Sequence, residues 1–199
     1  MFDKIFEFEQ ALAEYTGAPY CVLTDGCTHA LELCFRYDRV KECRLPAYTY
    51  LSVPMLLRHL AIDYEMTDTR WHGEYQFINT RVWDSARRLE HGMYRPGAMQ
   101  CLSFGWTKPL QLGKVGAILL DNSESADVLR KMVYDGRTRD CPWAEQNIDT
   151  VGYHYYMTPE TAELGLAKLP AAIATDPRIW SWQDYPDLRT MKVFDNVKS

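Results

Sequence analysis

The stretch YCVLTDGCTHALELCFRY, Tyr20 to Tyr37, constrains the fold of this chain more than any other. YCVLT is a short apolar run with the length of a strand. The turn DGC follows at once. THALELCFRY then puts Ala30, Leu31, Cys34 and Phe35 on one face at helical spacing. Strand, tight turn and helix N-terminus therefore come in succession. Such a junction presents free backbone N–H groups, and the helix dipole adds positive potential, so it suits a phosphate.

The rest of the chain repeats the alternation. Residues 3–15 carry an apolar stripe of Ile5, Phe6, Phe8, Leu12 and Tyr15, closed by Gly17. CRLP gives a strand ending at Pro46, and YTYLSVPMLLRHL a helical segment with Pro54 near its first turn. Strands are expected at 61–68, 78–84, 99–105 and 115–121, with RWHGEYQF, 70–77, as a loop. A helix is expected from Ser123 to Gly136, and another with Pro159 in its first turn and a stop at Pro170. Beyond Pro170 no periodicity stands out. Alternating strands and helices predict a three-layer α/β/α domain over 1–169 with a mixed, mostly parallel sheet, followed by a tail at 170–199.

Composition narrows the function classes. The chain has 199 residues and is 47% hydrophobic, enough for one core and too little for two enzyme domains. A net charge of -5 with dispersed Lys and Arg gives no basic face for nucleic acid. No apolar run has the length of a membrane span. The start, MFDKIFEFEQALAEYTG, is acidic and amphipathic, unlike a signal peptide. Six cysteines without a C-x-x-C pair sit mostly in apolar stretches, which predicts reduced thiols in a cytoplasmic protein and no metal site. Aromatics crowd the late sequence (Trp143, Tyr153, Tyr155, Tyr156, Trp180, Trp182, Tyr185), as at an interface or a small irregular core.

In α/β sheets ligands gather at strand ends. Three expected strand ends carry polar groups in order: the Gly26-Cys27-Thr28 turn, Asp84, and Ser103 followed by Lys108. A phosphate cradle, a carboxylate and a lysine are the groups that pyridoxal phosphate (PLP) requires. Each signal has an ordinary alternative. A strand-ending Asp is commonly a cap, and a lysine near a turn is commonly solvated.

The chain resembles the DegT/DnrJ/StrS family of PLP-dependent sugar aminotransferases. FEQALAEYTGAPYCVLTDGCTHALEL is similar to the family's opening helix, strand and S-G-T-x-A-L turn. LPAYTYLSVPMLLRHLAIDYEMTD resembles its P-x-x-T-F-x-A-T segment, and VWDSARRLEHGMYRPG its E-D-A-A-Q-A-H-G-A. CLSFGWTKPLQLGKVGAILLDN resembles F-S-F-x-x-x-K-x-L-x-x-G-E-G-G, and VGYHYYMTPETAELGLAKL resembles G-x-N-x-R-M-x-x-x-x-A-A-x-G-x-x-Q-L. The match runs in serial order from residue 7 to residue 169.

The resemblance implies the large-domain fold of fold-type I PLP transferases, and it implies roles. Lys108 takes the place of the Schiff-base lysine, which also moves the proton at the substrate α-carbon. Asp84 takes the place of the carboxylate that pairs with the pyridinium nitrogen. Ser103, Cys27 and Thr28 stand at phosphate-binding positions, and Tyr50 at the aromatic that stacks on the cofactor ring. Arg87 replaces a glutamine or histidine, and His154 replaces the asparagine that reaches a neighbouring subunit's phosphate. Tyr156 replaces a nearby arginine. Lys114 replaces a glutamate and reads as a surface charge.

Two family elements are shortened. A further strand and crossover are expected between 61–68 and the Asp84 strand, where residues 69–77 alone make the connection. A smaller C-terminal domain is also expected where this chain has 170–199, and the Trp-rich tail is read as covering what that domain covers. The implied activity is transfer of an amino group from an amino acid to a keto sugar, nucleotide-linked, by a homodimer with shared sites. A PLP enzyme with a different small substrate, or a non-catalytic binding module on the same fold, are the alternatives.

Overall fold

Side-chain alternation along three strands sets the layering of the domain. The computed structural model describes residues 2–176 and 178–194. In chain order the elements are α1 (Asp3–Thr16), β1 (Tyr20–Thr24), α2 (Cys27–Tyr37), β2 (Glu42–Pro46), α3 (Ser52–His59), β3 (Asp63–Thr67) and β4 (Tyr75–Gln76). Then come β5 (Val82–Asp84), β6 (Met99–Ser103), β7 (Gly116–Leu120), α4 (Ser123–Val133) and α5 (Pro159–Ile173). Cys21 and Leu23 of β1, Leu102 of β6, and Ala117 and Leu119 of β7 face one core with Ile5, Phe8 and Leu12 of α1 and Ala162 and Leu169 of α5. Val22, Met99, Cys101, Ile118 and Leu120 face the opposite core with α2, α3 and α4. Period-two alternation thus feeds two apolar layers from one sheet, giving the expected α/β/α sandwich.

The sheet is mixed, in the order β1-β7-β6-β5-β4, with β2 and β3 as a second, two-stranded sheet. Its pairing is less parallel than the sequence suggested. Only β5–β6 and β2–β3 are parallel, while β1–β7, β6–β7 and β4–β5 are antiparallel. A parallel neighbour needs a crossover of a dozen or more residues. Residues 104–115 join β6 to β7 without a helix, and that pair is antiparallel; between β3 and β5 no helix forms either. Tyr75–Gln76 instead runs antiparallel to β5, with Tyr75 opposite Asp84. Just beyond it, Ile78 exchanges backbone hydrogen bonds with Arg44 of β2, at 2.9 and 3.3 Å. A two-residue strand and one bridge therefore fill the gap between the two sheets, and Val82–Asp84 alone forms the strand expected over 78–84.

Pro170 does not stop the last helix, which continues to Ile173. The helix packs along α1, and Leu169 and Ala172 on either side of the proline lie against the α1 core. Packing of that face outweighs the single lost donor. Close approach of the two helices depends on Gly165, where a β-carbon would sit 2.6 Å from the Phe8 ring. The aromatic tail returns to the sheet's edge. Trp182 donates its N–H to the Trp71 carbonyl, Leu188 donates to Ala47, and the Gly73 N–H donates to Trp180. Among the described residues no helix is long and apolar enough to cross a membrane.

Candidate active site

One cavity of about 360 Å³ opens where the ends of β1, β5 and β6 meet. Gly26 to His29 at the start of α2 form one wall, and Asp84 forms the floor. Ser103 and Lys108 follow from β6, and Tyr50 stands at the lip, 62% exposed. Of the residues singled out from the sequence, Cys27, Thr28, Tyr50, Asp84, Arg87, Ser103 and Lys108 all line it. His154 does not. It is exposed, lies in the left-handed region at φ 55°, and pairs with Asp135 at 2.9 Å.

The local sequence explains each placement. Gly26 caps α2 with no side-chain hydrogen bond, so the first amides of the helix are left open to the cavity. Gly116 of β7 makes this possible from beneath. A β-carbon there would lie 2.5 Å from the Cys27 nitrogen and 2.6 Å from the Gly26 carbonyl carbon. Thr28 shares a 2.9 Å hydroxyl hydrogen bond with Ser52 at the start of α3. Lys108 sits in the turn between β6 and Gly113, which takes φ +90° and packs a Trp106 ring where a side chain would go.

Asp84 is 7% exposed, and both carboxylate oxygens are used. The Ala86 amide donates to Oδ1 at 3.0 Å, and the Tyr75 hydroxyl donates to Oδ2 at 2.8 Å. Tyr75 in turn shares a 2.6 Å hydrogen bond with Thr49. Burial raises the Asp84 carboxyl above the ordinary range, against the opposing pull of the Ala86 amide, Tyr75, Lys108 and Arg87. Burial also lowers Lys108, to about 8. The Arg87 charge acts in the same direction, and Asp84 and Cys27 act against it. A lysine held near 8 is part neutral at physiological pH and can take or release a proton or attack a carbonyl carbon.

Several groups at this site were not foreseen. Tyr75 and Glu74 come from the segment read as a loop, although E-Y-Q-F alternates polar and apolar over four residues and so carries a weak strand signal. Glu74 is buried. It accepts from Ser85 at 2.6 Å, Gln100 at 2.9 Å, Arg88 at 2.5 Å and Arg95 at 2.7 Å. Lys114 is exposed, as expected of a surface charge, yet its chain lies along the cavity wall beside Gly26. Its ammonium is 3.1 Å from Asp25, which also binds His29. Tyr185 and Trp180 of the tail lie over Arg87, and Tyr185 lines the cavity. Among the described residues no cluster of His, Cys, Asp and Glu has the makings of a metal site.

The model of the DegT/DnrJ/EryC1/StrS aminotransferase family matches residues 1–69 and 90–178. The chain belongs to that family. The unmatched interval, 70–89, is where β4 and β5 lie, so the shortened connection is also where the chain departs from the family model. No curated protein matches by sequence. Solved structures of similar fold include AtS13 from Actinomadura melliaura, with a TM-score of 0.73, 18% identity, and coverage of 85% of this chain and 60% of that one. PseC from Helicobacter pylori, an aminotransferase of pseudoaminic acid biosynthesis, gives 0.70 at 17% identity, covering 85% and 58%. Spr1654 from Streptococcus pneumoniae, described as a sugar aminotransferase and solved in its PLP form, gives 0.69 at 21% identity, covering 85% and 59%. The chain therefore spans less than two thirds of the length of these similar structures.

Proposed function

We propose that this chain binds PLP and transfers an amino group from an amino acid to a keto sugar carried on a nucleotide. The observation that carries the reading is the convergence of Lys108, Asp84 and the uncapped start of α2 on one cavity. Family membership supports it, as does the existence of PLP and PMP forms of the similar Spr1654.

The residues fit the cofactor. Open amides at the start of α2, with the Thr28 and Ser103 hydroxyls, would hold a phosphate, and the helix dipole favours its charge. Tyr50 offers a ring face at the lip. A buried carboxylate that is costly to ionise alone gains a partner when a protonated ring nitrogen comes beside it, which is the role given to Asp84. Bound in this way, the cofactor supplies an electron sink for a substrate carbanion. Lys108 attaches it and carries the proton at the substrate carbon, with Asp84 and Arg87 setting the field around its amine. Two copies of the chain would pair, each offering its exposed His154 to the other's phosphate.

Adding PLP to the purified protein should give a visible band, which glutamate should bleach and a nucleotide-linked keto sugar restore. Absence of the band in wild type would refute the reading. A band that no amino donor bleaches would instead favour a PLP enzyme of different chemistry.

Asp84→Asn separates binding from folding. Ionised Asp84 is a cost to the folded, cofactor-free chain above the ordinary carboxylate range, and the cost is relieved as pH falls through the raised value. The variant should be more stable than wild type at pH 7. That gap should close on acidification while PLP affinity drops more than about tenfold. Thermal unfolding across pH and cofactor titration check the two halves; a variant less stable at pH 7 with unchanged affinity would overturn the assignment.

A further inference from the structure

Three cations line the cavity, Arg87, Lys108 and Lys114, and Asp84 is the one carboxylate among its lining residues. Lys114 is neutralised by Asp25, and both oxygens of Asp84 are taken by Tyr75 and Ala86. Arg87 is different. Among the described residues it has no carboxylate partner, yet its guanidinium is firmly held. Trp180 covers one face at 3.6 Å from the ring centre. Nε donates to the Tyr185 hydroxyl at 2.9 Å. Nη1 donates to the hydroxyl and carbonyl of Thr107, at 3.0 and 3.2 Å. Nη2 has no hydrogen bond among the described residues. A guanidinium fixed through Nε and Nη1, with Nη2 free on a cavity wall, is pre-organised to donate a charge-assisted hydrogen bond to an anion.

We propose that Arg87 binds the carboxylate of the amino-acid substrate and so makes the site selective for amines that carry an α-carboxylate. This rests on the reading of the cavity as a PLP site, with Lys108 at the reacting carbon. Thr107, to which the guanidinium is pinned, immediately precedes Lys108 in the chain. An anion bound at Arg87 therefore lies close to the Lys108 amine. An α-carboxylate is one bond from the carbon that bears the amine, whereas the diphosphate of a nucleotide sugar is separated from its reacting carbon by the sugar. Position thus favours the carboxylate over the other anion the guanidinium could take. The tail is part of the device, because Trp180 and Tyr185 orient the arginine.

The test uses the PLP-loaded full chain and two probes, 2-methylalanine and tert-butylamine. They share a skeleton and differ in a carboxylate against a methyl, and neither has an α-proton to lose, so the shift of the visible band reports binding alone. Wild type should prefer 2-methylalanine. Arg87→Gln should cut that preference, read as the ratio of the two affinities, about 10- to 100-fold, as expected for loss of a charge-assisted hydrogen bond, the ratio cancelling what the lost charge does at Lys108. Arg87→Lys should recover only part of it. A preference that survives in Arg87→Gln with the band intact would overturn the proposal and leave the PLP reading standing. So would parallel loss of both probes, or a loss confined to inhibition by uridine diphosphate. A wild type that forms no band removes the PLP reading itself and this proposal with it.

Discussion

Lys108→Ala is expected to reduce amino transfer by about 10⁴-fold or to background, because the proposed role has one side chain both attach the cofactor and move the proton. The visible band should vanish with it, while the phosphate cradle, built from other residues, should still retain the cofactor weakly. Lys108→Arg should fail almost as completely, since a guanidinium keeps the charge and offers no neutral amine near pH 7. The rate at which PLP attaches to the cofactor-free chain should rise with pH up to about 8, where the free lysine sheds its proton. Folding should respond separately. A lysine whose value is lowered in the fold opposes folding while it is charged, and that penalty lifts as pH rises from about 8 toward the ordinary lysine range. Lys108→Met should therefore be more stable than wild type at pH 7 and lose the advantage in alkali. A variant that keeps the band and the rate would end the case for Lys108.

Gly116→Ala is expected to destabilise the domain and disturb the start of α2 beside the cavity. The added methyl meets backbone, at 2.5 Å from the Cys27 nitrogen and 2.8 Å from its α-carbon, so no side chain can swing aside. Gly116 is also held in register on both sides, opposite Thr24 of β1 and Ser103 of β6. Strain of this kind costs about 3 kcal/mol or more, roughly 6–12 °C in Tm for a domain of this size. Function should suffer beyond stability. If α2 moves away to relieve the collision, its open amides leave the cavity, and cofactor affinity should fall even at temperatures where the variant is fully folded. Circular dichroism at a low temperature combined with cofactor titration tests this. Folded protein with wild-type affinity would show that the close approach beneath α2 does not govern the cradle.

Much of this was legible in the sequence because the layered core has strong local signatures. The strand–turn–helix of Tyr20 to Tyr37, the stripe of α1 and the apolar run of β7 each advertise a period that burial on one or two faces requires. Lys108, Asp84 and Thr28 were legible for a related reason, since strand ends in such a sheet can be ordered before their contacts are known. That the connection is shortened was legible against the family pattern; the strand inside it was not. A two-residue strand is too short to carry a period, and its stability comes from Glu74 and its distant partners. Sheet direction was misjudged because β7 runs antiparallel to both of its neighbours, β1 and β6, and an apolar run carries no sign of its direction. Arg87 was visible as a departure from the family pattern, but its orientation depends on Trp180 and Tyr185, nearly a hundred positions later. Pro170 misled because propensity acts locally while the α1–α5 contact does not.

Two residues make a poor ruler. With side chains alternating faces, a slip of β4 by one position would turn Tyr75 away from Asp84 and set Glu74 opposite it, bringing two carboxylates together. Tyr75–Gln76 has too few ladder bonds to forbid that slip unaided. The measuring is done by Glu74, whose oxygens are claimed by Ser85, Gln100, Arg88 and Arg95, all of them outside the β4–β5 pairing. A charge network with no atom in the cavity thus acts as the vernier that decides which residue faces Asp84.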